Sequence, residues 1–202
     1  MKKFLLLLFV LGLSLSVSVM SGCGFIGSGN NGDDPSYVVE ITVEDYGVIT
    51  VALDDTYAPI TVENFVNLVN DGFYDGLTFH RIIENFVIQG GCDLGNGMGG
   101  SDNRIVGEFS DNGIENPMLH TRGVISMARL GHDPNSASSQ FFILHADVPH
   151  LDGGYAAFGH VISGMEVVDA IVEGTEIVPG SDGTVLPENQ PVITSMRVIE
   201  SD

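Results

Sequence analysis

The run Phe79-His80-Arg81-Ile82-Ile83-Glu84-Asn85-Phe86-Val87-Ile88-Gln89-Gly90-Gly91 sets one arginine and one glutamine among aromatic and aliphatic residues. Alternate residues of a strand point to one face, so Arg81 and Gln89 share a face if the run is extended. A charge held in an apolar setting is costly unless it has a task or a partner. The chemistry on offer is hydrogen-bond donation from a permanent cation. The five donors of a guanidinium can serve a substrate acceptor and still be held by a neighbour. A second segment, Ser138-Ser139-Gln140-Phe141-Phe142-Ile143-Leu144, repeats the theme of polar groups interrupting a strand-forming run. Taken alone, Arg81 fits a surface strand residue in a salt bridge better.

The elements that must position these residues are mostly of period two. Val39, Ile41 and Val43 alternate with polar residues, Asp45-Tyr46-Gly47 marks a turn, and Ile49, Val51 and Leu53 alternate again, which predicts a hairpin. Pro59 followed by Val62, Phe65, Val66 and Val69 shifts to helical spacing, with Asp71-Gly72 as its stop. The apolar stripe of that helix is expected to pack on the core. Strand patterns return at 78–89, 123–128, 140–144, 156–162 and 191–199. Residues 91–103 are glycine-rich and read as loop, and 165–172 is a second helix closed by Gly174. Many strands, two short helices and long connections point to a mainly β, antiparallel barrel.

From about residue 37 to 200 the chain resembles the cyclophilin-type peptidyl-prolyl cis–trans isomerases. The resemblance rests on the Phe-His-Arg-Ile-Ile-x-x-Phe run and on Met127-Ala128-Arg129 leading through Asp133-Pro134-Asn135-Ser136-Ala137-Ser138-Ser139-Gln140-Phe141-Phe142. It implies a closed eight-stranded antiparallel barrel capped by two α-helices. It also implies rotation about Xaa–Pro bonds of proline-containing polypeptides, with no cofactor. Arg81 then stands at the catalytic arginine position and Gln89 at that of the glutamine that orients it. Phe86, Val87, Phe142 and Leu151 match positions lining a proline slot, with Val87 where methionine is usual. Gln140 matches a second polar residue of the active face. Ala128 lies where backbone groups pair with the residue before proline, and Arg129 replaces a usual asparagine there. Tyr155 aligns with a histidine, and its phenol can meet the substrate carbonyl. His150 stands for a tryptophan, a loss of indole that predicts weak binding of cyclosporin. Gly97, Met98, Gly99 and Gly100 resemble the rim of a neighbouring groove. His80 is expected to be a hydrogen-bonded structural residue.

The remaining features place the chain. Residues 1–22 carry Lys2 and Lys3, an apolar stretch and then Ser21-Gly22, the layout of an export signal and short for a membrane span. Met20-Ser21-Gly22-Cys23 resembles a bacterial lipobox with methionine in place of the usual leucine. It implies lipidation of Cys23 and an extracytoplasmic, membrane-anchored protein; an ordinary signal peptide is the alternative. Residues 23–36 have the composition of a flexible tether, and 37–202 suit one domain.

Without the leader, five arginines face 27 acidic residues, a formal charge of −22. Such a surface disfavours nucleic acid and anionic headgroups, so a lipid must supply any membrane attachment. With Cys23 lipidated, Cys92 is a lone thiol, read as a buried small residue. His80, His120, His132, His145, His150 and His160 show no paired ligand spacing, so no metal is expected. The reading is an exported, monomeric isomerase of Xaa–Pro bonds that assists folding of exported proteins. The rivals are a proline-segment-binding chaperone or scaffold with little turnover, and a solute-binding lipoprotein. Such a solute binder usually needs a larger, two-lobed chain.

Overall fold

A computed structural model of the chain describes residues 35–199. The expected export signal, Cys23 and most of the expected tether lie outside those residues. Eight strands follow in chain order: β1 (Tyr37–Val43), β2 (Gly47–Leu53), β3 (Phe79–Ile83), β4 (Val87–Gly90), β5 (Val124–Met127), β6 (Phe141–Leu144), β7 (Ala157–Ser163) and β8 (Ile193–Ile199). Two helices join them, α1 (Pro59–Asn70) after β2 and α2 (Met165–Gly174) after β7, with short 3-10 turns in the loops. The strands form one antiparallel sheet in the order β3-β4-β6-β5-β7-β2-β1-β8.

The hairpin, the helices and the late strands stand where periodicity puts them. The barrel, however, is an open, curled sheet rather than a closed one. Its end strands β3 and β8 are linked by no ladder, only by a single bridge, Thr78 with Val192, and backbone bonds such as Phe79 N–H to Pro191 O at 3.0 Å. The reason is that the free edge of β3 is already taken. Residues 183–185, in the loop between α2 and β8, bond along it: Ile82 N–H to Gly183 O at 2.8 Å and Val185 N–H to His80 O at 3.1 Å.

Residues 78–89 are also not one strand. They fold as the β3–β4 hairpin around Asn85, which holds a left-handed φ of 58°. Asparagine is among the few residues that adopt this region readily.

The core fills the concave side of the sheet and the undersides of both helices. Val62, Phe65, Val66 and Val69 bury one face of α1, as the spacing predicts. Phe65 meets Tyr74, Phe141 and Phe158 at ring separations of 5.2, 5.6 and 5.1 Å. Such aromatic pairs add to simple area burial. A smaller cluster of Val87, Phe142, Leu144, Val148 and Leu151 lies apart from it. Strands β4 and β6 are therefore apolar on both faces: Ile88, Phe141 and Ile143 belong to the main core, Val87, Phe142 and Leu144 to the second cluster.

Helix α1 has no side-chain cap of its own. Glu108, only 2% exposed, supplies one from a distant loop. Its carboxylate accepts from Ile60 N–H at 3.1 Å, Thr61 N–H at 2.7 Å and the Thr61 hydroxyl at 2.6 Å. Orphan amides at a helix N-terminus favour an anion, through both hydrogen bonds and the helix dipole. Glu108→Gln is expected to cost about 1–2 kcal/mol, read as a lower urea midpoint at unchanged slope.

Candidate functional site

Arg81 reaches the outer face of the sheet through a local irregularity. Phe79 points into the main core, and a register shift lies between Phe79 and Arg81. Without it, residues two apart would share a face and the guanidinium would enter the core. With it, Arg81 stands directly across from Gln89, and Gln89 across from Phe142 on the next strand. The two polar residues do share a face, as expected, because they are partners across a hairpin.

Hydrogen bonds then run in one direction. Arg81 Nη1 donates to Gln89 Oε1 at 3.3 Å, and Gln89 Nε2 to Gln140 Oε1 at 3.0 Å. Gln140 Nε2 ends the relay on the carbonyls of Gly97 and Gly99 at 3.0 and 2.8 Å. Each amide uses its oxygen for the residue before it and its nitrogen for the one after. On its other side, Arg81 Nε donates to the Asp182 main-chain oxygen at 2.9 Å and Nη2 to the Asp182 carboxylate at 2.8 Å. Asp182 was not foreseen. It lies 101 residues away in sequence, in a loop with no motif, and only the fold brings it there.

Beside this relay lies a cavity of about 170 Å³. Its floor is Val87, Phe142 and Leu151, which are 2%, 5% and 8% exposed. Phe86, Tyr155 and Ala128 form the sides, and Arg81, Gln89 and Arg129 bring the polar groups. Of the residues singled out in the sequence, these nine line one cavity. Gln140 and Gly97 instead line an adjoining groove of about 510 Å³, which shares Gln89, Ala128 and Arg129 with the first. Met98 stands at that groove's rim and is 85% exposed. His150 does not line the cavity; it stacks on Phe86 with planes 7° apart and centroids 5.9 Å apart. Phe86 in turn has the Arg81 guanidinium 5.6 Å from its ring centroid.

Arg129 is held without a carboxylate. Its Nε donates to Gly154 O at 2.9 Å and its Nη1 to Leu130 O at 3.0 Å, while the guanidinium lies 5.1 Å from Phe109 and 4.7 Å from Tyr155. Among the described residues it is the arginine without an ion pair; Arg81, Arg104, Arg122 and Arg197 each have one. It braces Tyr155 against the wall, a role its place in the sequence does not disclose.

Two buried histidines back the site. His120 stacks beneath Phe142 at 6.2 Å and bonds Asp152 and Ser126, each at 3.1 Å. Burial lowers its pKa, against an opposing pull from Asp152. His80, next to Arg81, is 5% exposed, and its Nδ1 has no hydrogen-bond partner among the described residues. The expected hydrogen-bonded role is thus not what the structure shows at that nitrogen. Burial, with the Arg81 charge adding to it, brings His80 down to about 4. The thiol of Cys92 is buried, as expected.

A family model described as cyclophilin type peptidyl-prolyl cis-trans isomerase/CLD matches residues 38–198. A peptidyl-prolyl cis-trans isomerase of Helicobacter pylori (strain J99) is 47% identical over 130 residues, 63% of this chain and 76% of that protein. Peptidyl-prolyl cis-trans isomerase B of Bacillus subtilis is 46% identical over 132 residues, 65% of this chain and 88% of that one. Among solved structures, a cyclophilin type isomerase of Cryptosporidium parvum in the presence of the dipeptide Ala-Pro superposes with a TM-score of 0.71 at 30% identity. The match covers 82% of this chain and 99% of that one.

The His80 environment sets a pH dependence. Its pKa falls from 6.5 to about 4 on folding, so between those values the unfolded chain binds the extra proton. Stability is therefore full above about pH 6.5 and is lost as pH falls towards 4, by about 3 kcal/mol from this residue. His120 acts in the same direction. Denaturant unfolding across pH 7 to 4 is expected to show this slope, reduced but not abolished in His80→Asn.

Proposed function

The chain belongs to the cyclophilin-type peptidyl-prolyl cis–trans isomerases, and from that premise we propose that Arg81 is the donor that lowers its rotation barrier. Twisting an amide costs about 18–20 kcal/mol because resonance is lost, and uncatalysed exchange takes tens to hundreds of seconds. Reaching milliseconds asks for roughly 5.5 kcal/mol of selective stabilisation. No bond breaks and no proton need leave. As resonance is lost, the prolyl nitrogen becomes a better acceptor, so a fixed guanidinium binds the twisted state more strongly than the planar one.

The observation that carries this reading is the fixed relay from Arg81 through Gln89 to Gln140 at the wall of an apolar cavity. The cavity floor of Val87, Phe142 and Leu151 takes the proline ring. Three N–H groups of Arg81 are engaged by Asp182 and Gln89, which leaves one on each terminal nitrogen for substrate among the described residues. Gln89, held from both ends, orients the guanidinium and offers its amide to the peptide backbone. The strand end at Ala128 and Arg129 receives the residue before proline, and Tyr155 the substrate carbonyl. Gln140 and Gly97 shape the adjoining groove for a flanking residue. His150 keeps Phe86 in place from outside and removes the area an indole would give.

The substrates we propose are exported proteins, met at the outer face of the cell membrane. The lipobox-like Met20-Ser21-Gly22-Cys23 and the basic, then apolar leader support this, with Cys23 carrying the lipid. More than one acyl chain suffices for stable anchoring at about 0.8 kcal/mol per buried methylene.

Two experiments test the proposal. In a soluble form beginning at Gly24, cis-to-trans exchange of an Ala-Pro peptide is expected to run far above background. Arg81→Ala, shown folded by circular dichroism, is expected to lose about 10²–10³ in rate. Wild-type rates in that variant would remove Arg81 from the mechanism. In bacteria expressing the full chain, metabolic labelling with palmitate should mark the protein and fractionation should place it with membranes. Cys23→Ser should lose the label, and a labelled variant would refute the anchor.

A further inference from the structure

We propose that Asp182 is a positioning residue of the isomerase, one that aims the Arg81 guanidinium from outside the sheet. The inference rests on Arg81 being the donor and adds the residue that orients it. Asp182 grips one edge of the guanidinium twice: its main-chain oxygen takes Nε at 2.9 Å and its carboxylate takes Nη2 at 2.8 Å. Gln89 takes Nη1 on the far side. With both flanks held, a planar group has little freedom to rotate, and its remaining N–H groups keep one direction.

The loop that presents Asp182 is built for that purpose. Gly183 carries no side chain, and an added methyl would clash with Ile83 Cγ1 and lie 2.7 Å from the Ile82 carbonyl. It therefore lies flat on β3, with its carbonyl bonded to Ile82 N–H. Thr184 forms a bridge with Arg81 itself, and Val185 bonds His80 O. Behind Asp182 the loop closes on itself: Thr184 N–H donates to Ser181 Oγ at 3.0 Å, Ser181 Oγ to Val178 O at 2.8 Å, and Val178 N–H to Thr184 O at 2.9 Å. The carboxylate is thus delivered by a segment anchored on either side of the residue it holds.

Its side chain is 83% exposed, against 26% for that of Arg81. Removing it leaves the core untouched, so the variants fold, and the effect is that of an exposed, well-aligned pair, a few-fold in rate. The test measures kcat and KM for cis-to-trans exchange of an Ala-Pro peptide in Asp182→Ala, Asp182→Asn, Arg81→Ala and the double variant Arg81→Ala/Asp182→Ala. Asp182→Ala is expected to lower kcat about 3- to 5-fold with KM unchanged. Asp182→Asn, which keeps an acceptor oxygen, should restore most of the loss. In the Arg81→Ala background Asp182→Ala should add nothing, because its effect passes through the guanidinium.

A kcat at or above wild type in Asp182→Ala, no restoration by asparagine, or an equal loss in the Arg81→Ala background would each overturn the assignment. A collapse in Arg81→Ala beside a normal Asp182→Ala would overturn it alone and leave the role of Arg81 standing. Normal rates in Arg81→Ala would instead remove the donor, and this positioning role with it.

Discussion

A guanidinium cannot shed its charge within any ordinary pH range, and this chain keeps one beside an apolar cavity. Everything around Arg81 answers that constraint. The hairpin sets Gln89 opposite it, Gln140 completes the relay, and residues 182–185 occupy the edge of β3 where a closing strand would otherwise lie. The openness of the sheet and the fixation of the cation are two sides of one arrangement. A barrel closed by a β3–β8 ladder would have no room for the segment that grips Arg81.

The same logic extends outward from the cavity. Its floor is apolar on both faces of β4 and β6, so the walls are backed by packed side chains rather than by water. Close packing of that kind holds rotamers in place. Arg129 and the pair Phe86–His150 brace the rim by stacking and by main-chain acceptors, contacts that do not draw on the large acidic surplus of the surface. Glu108 ties the start of α1 to the loop that carries Phe109, and Phe109 is one of the two rings flanking Arg129.

Much of this was legible from residues close in sequence. The period-two runs located the strands, the stripe of Val62, Phe65, Val66 and Val69 located α1 and its buried face, and nine of the singled-out residues meet at one cavity. What escaped was set by long-range contact. Asp182 and Glu108 act on partners 101 and 47 residues away, in loops whose composition carries no periodic signal. His150 aligned with a cavity position yet lies outside it, stacked on Phe86. The reading of 78–89 as one strand failed at Asn85, a single left-handed residue that turns an extended run into a hairpin.

The irregularity beside His80 has a consequence for how such a chain can change over time. Which way Arg81 points is a question of parity: one residue more or fewer between Phe79 and Arg81 would exchange the two faces of everything that follows in β3. Ile82 would leave the interior and the cation would enter it. Changes of two residues preserve the sense and changes of one invert it. Descent can therefore alter the length of the chain at this bulge only in even steps if Ile82 is to stay inside and Arg81 outside.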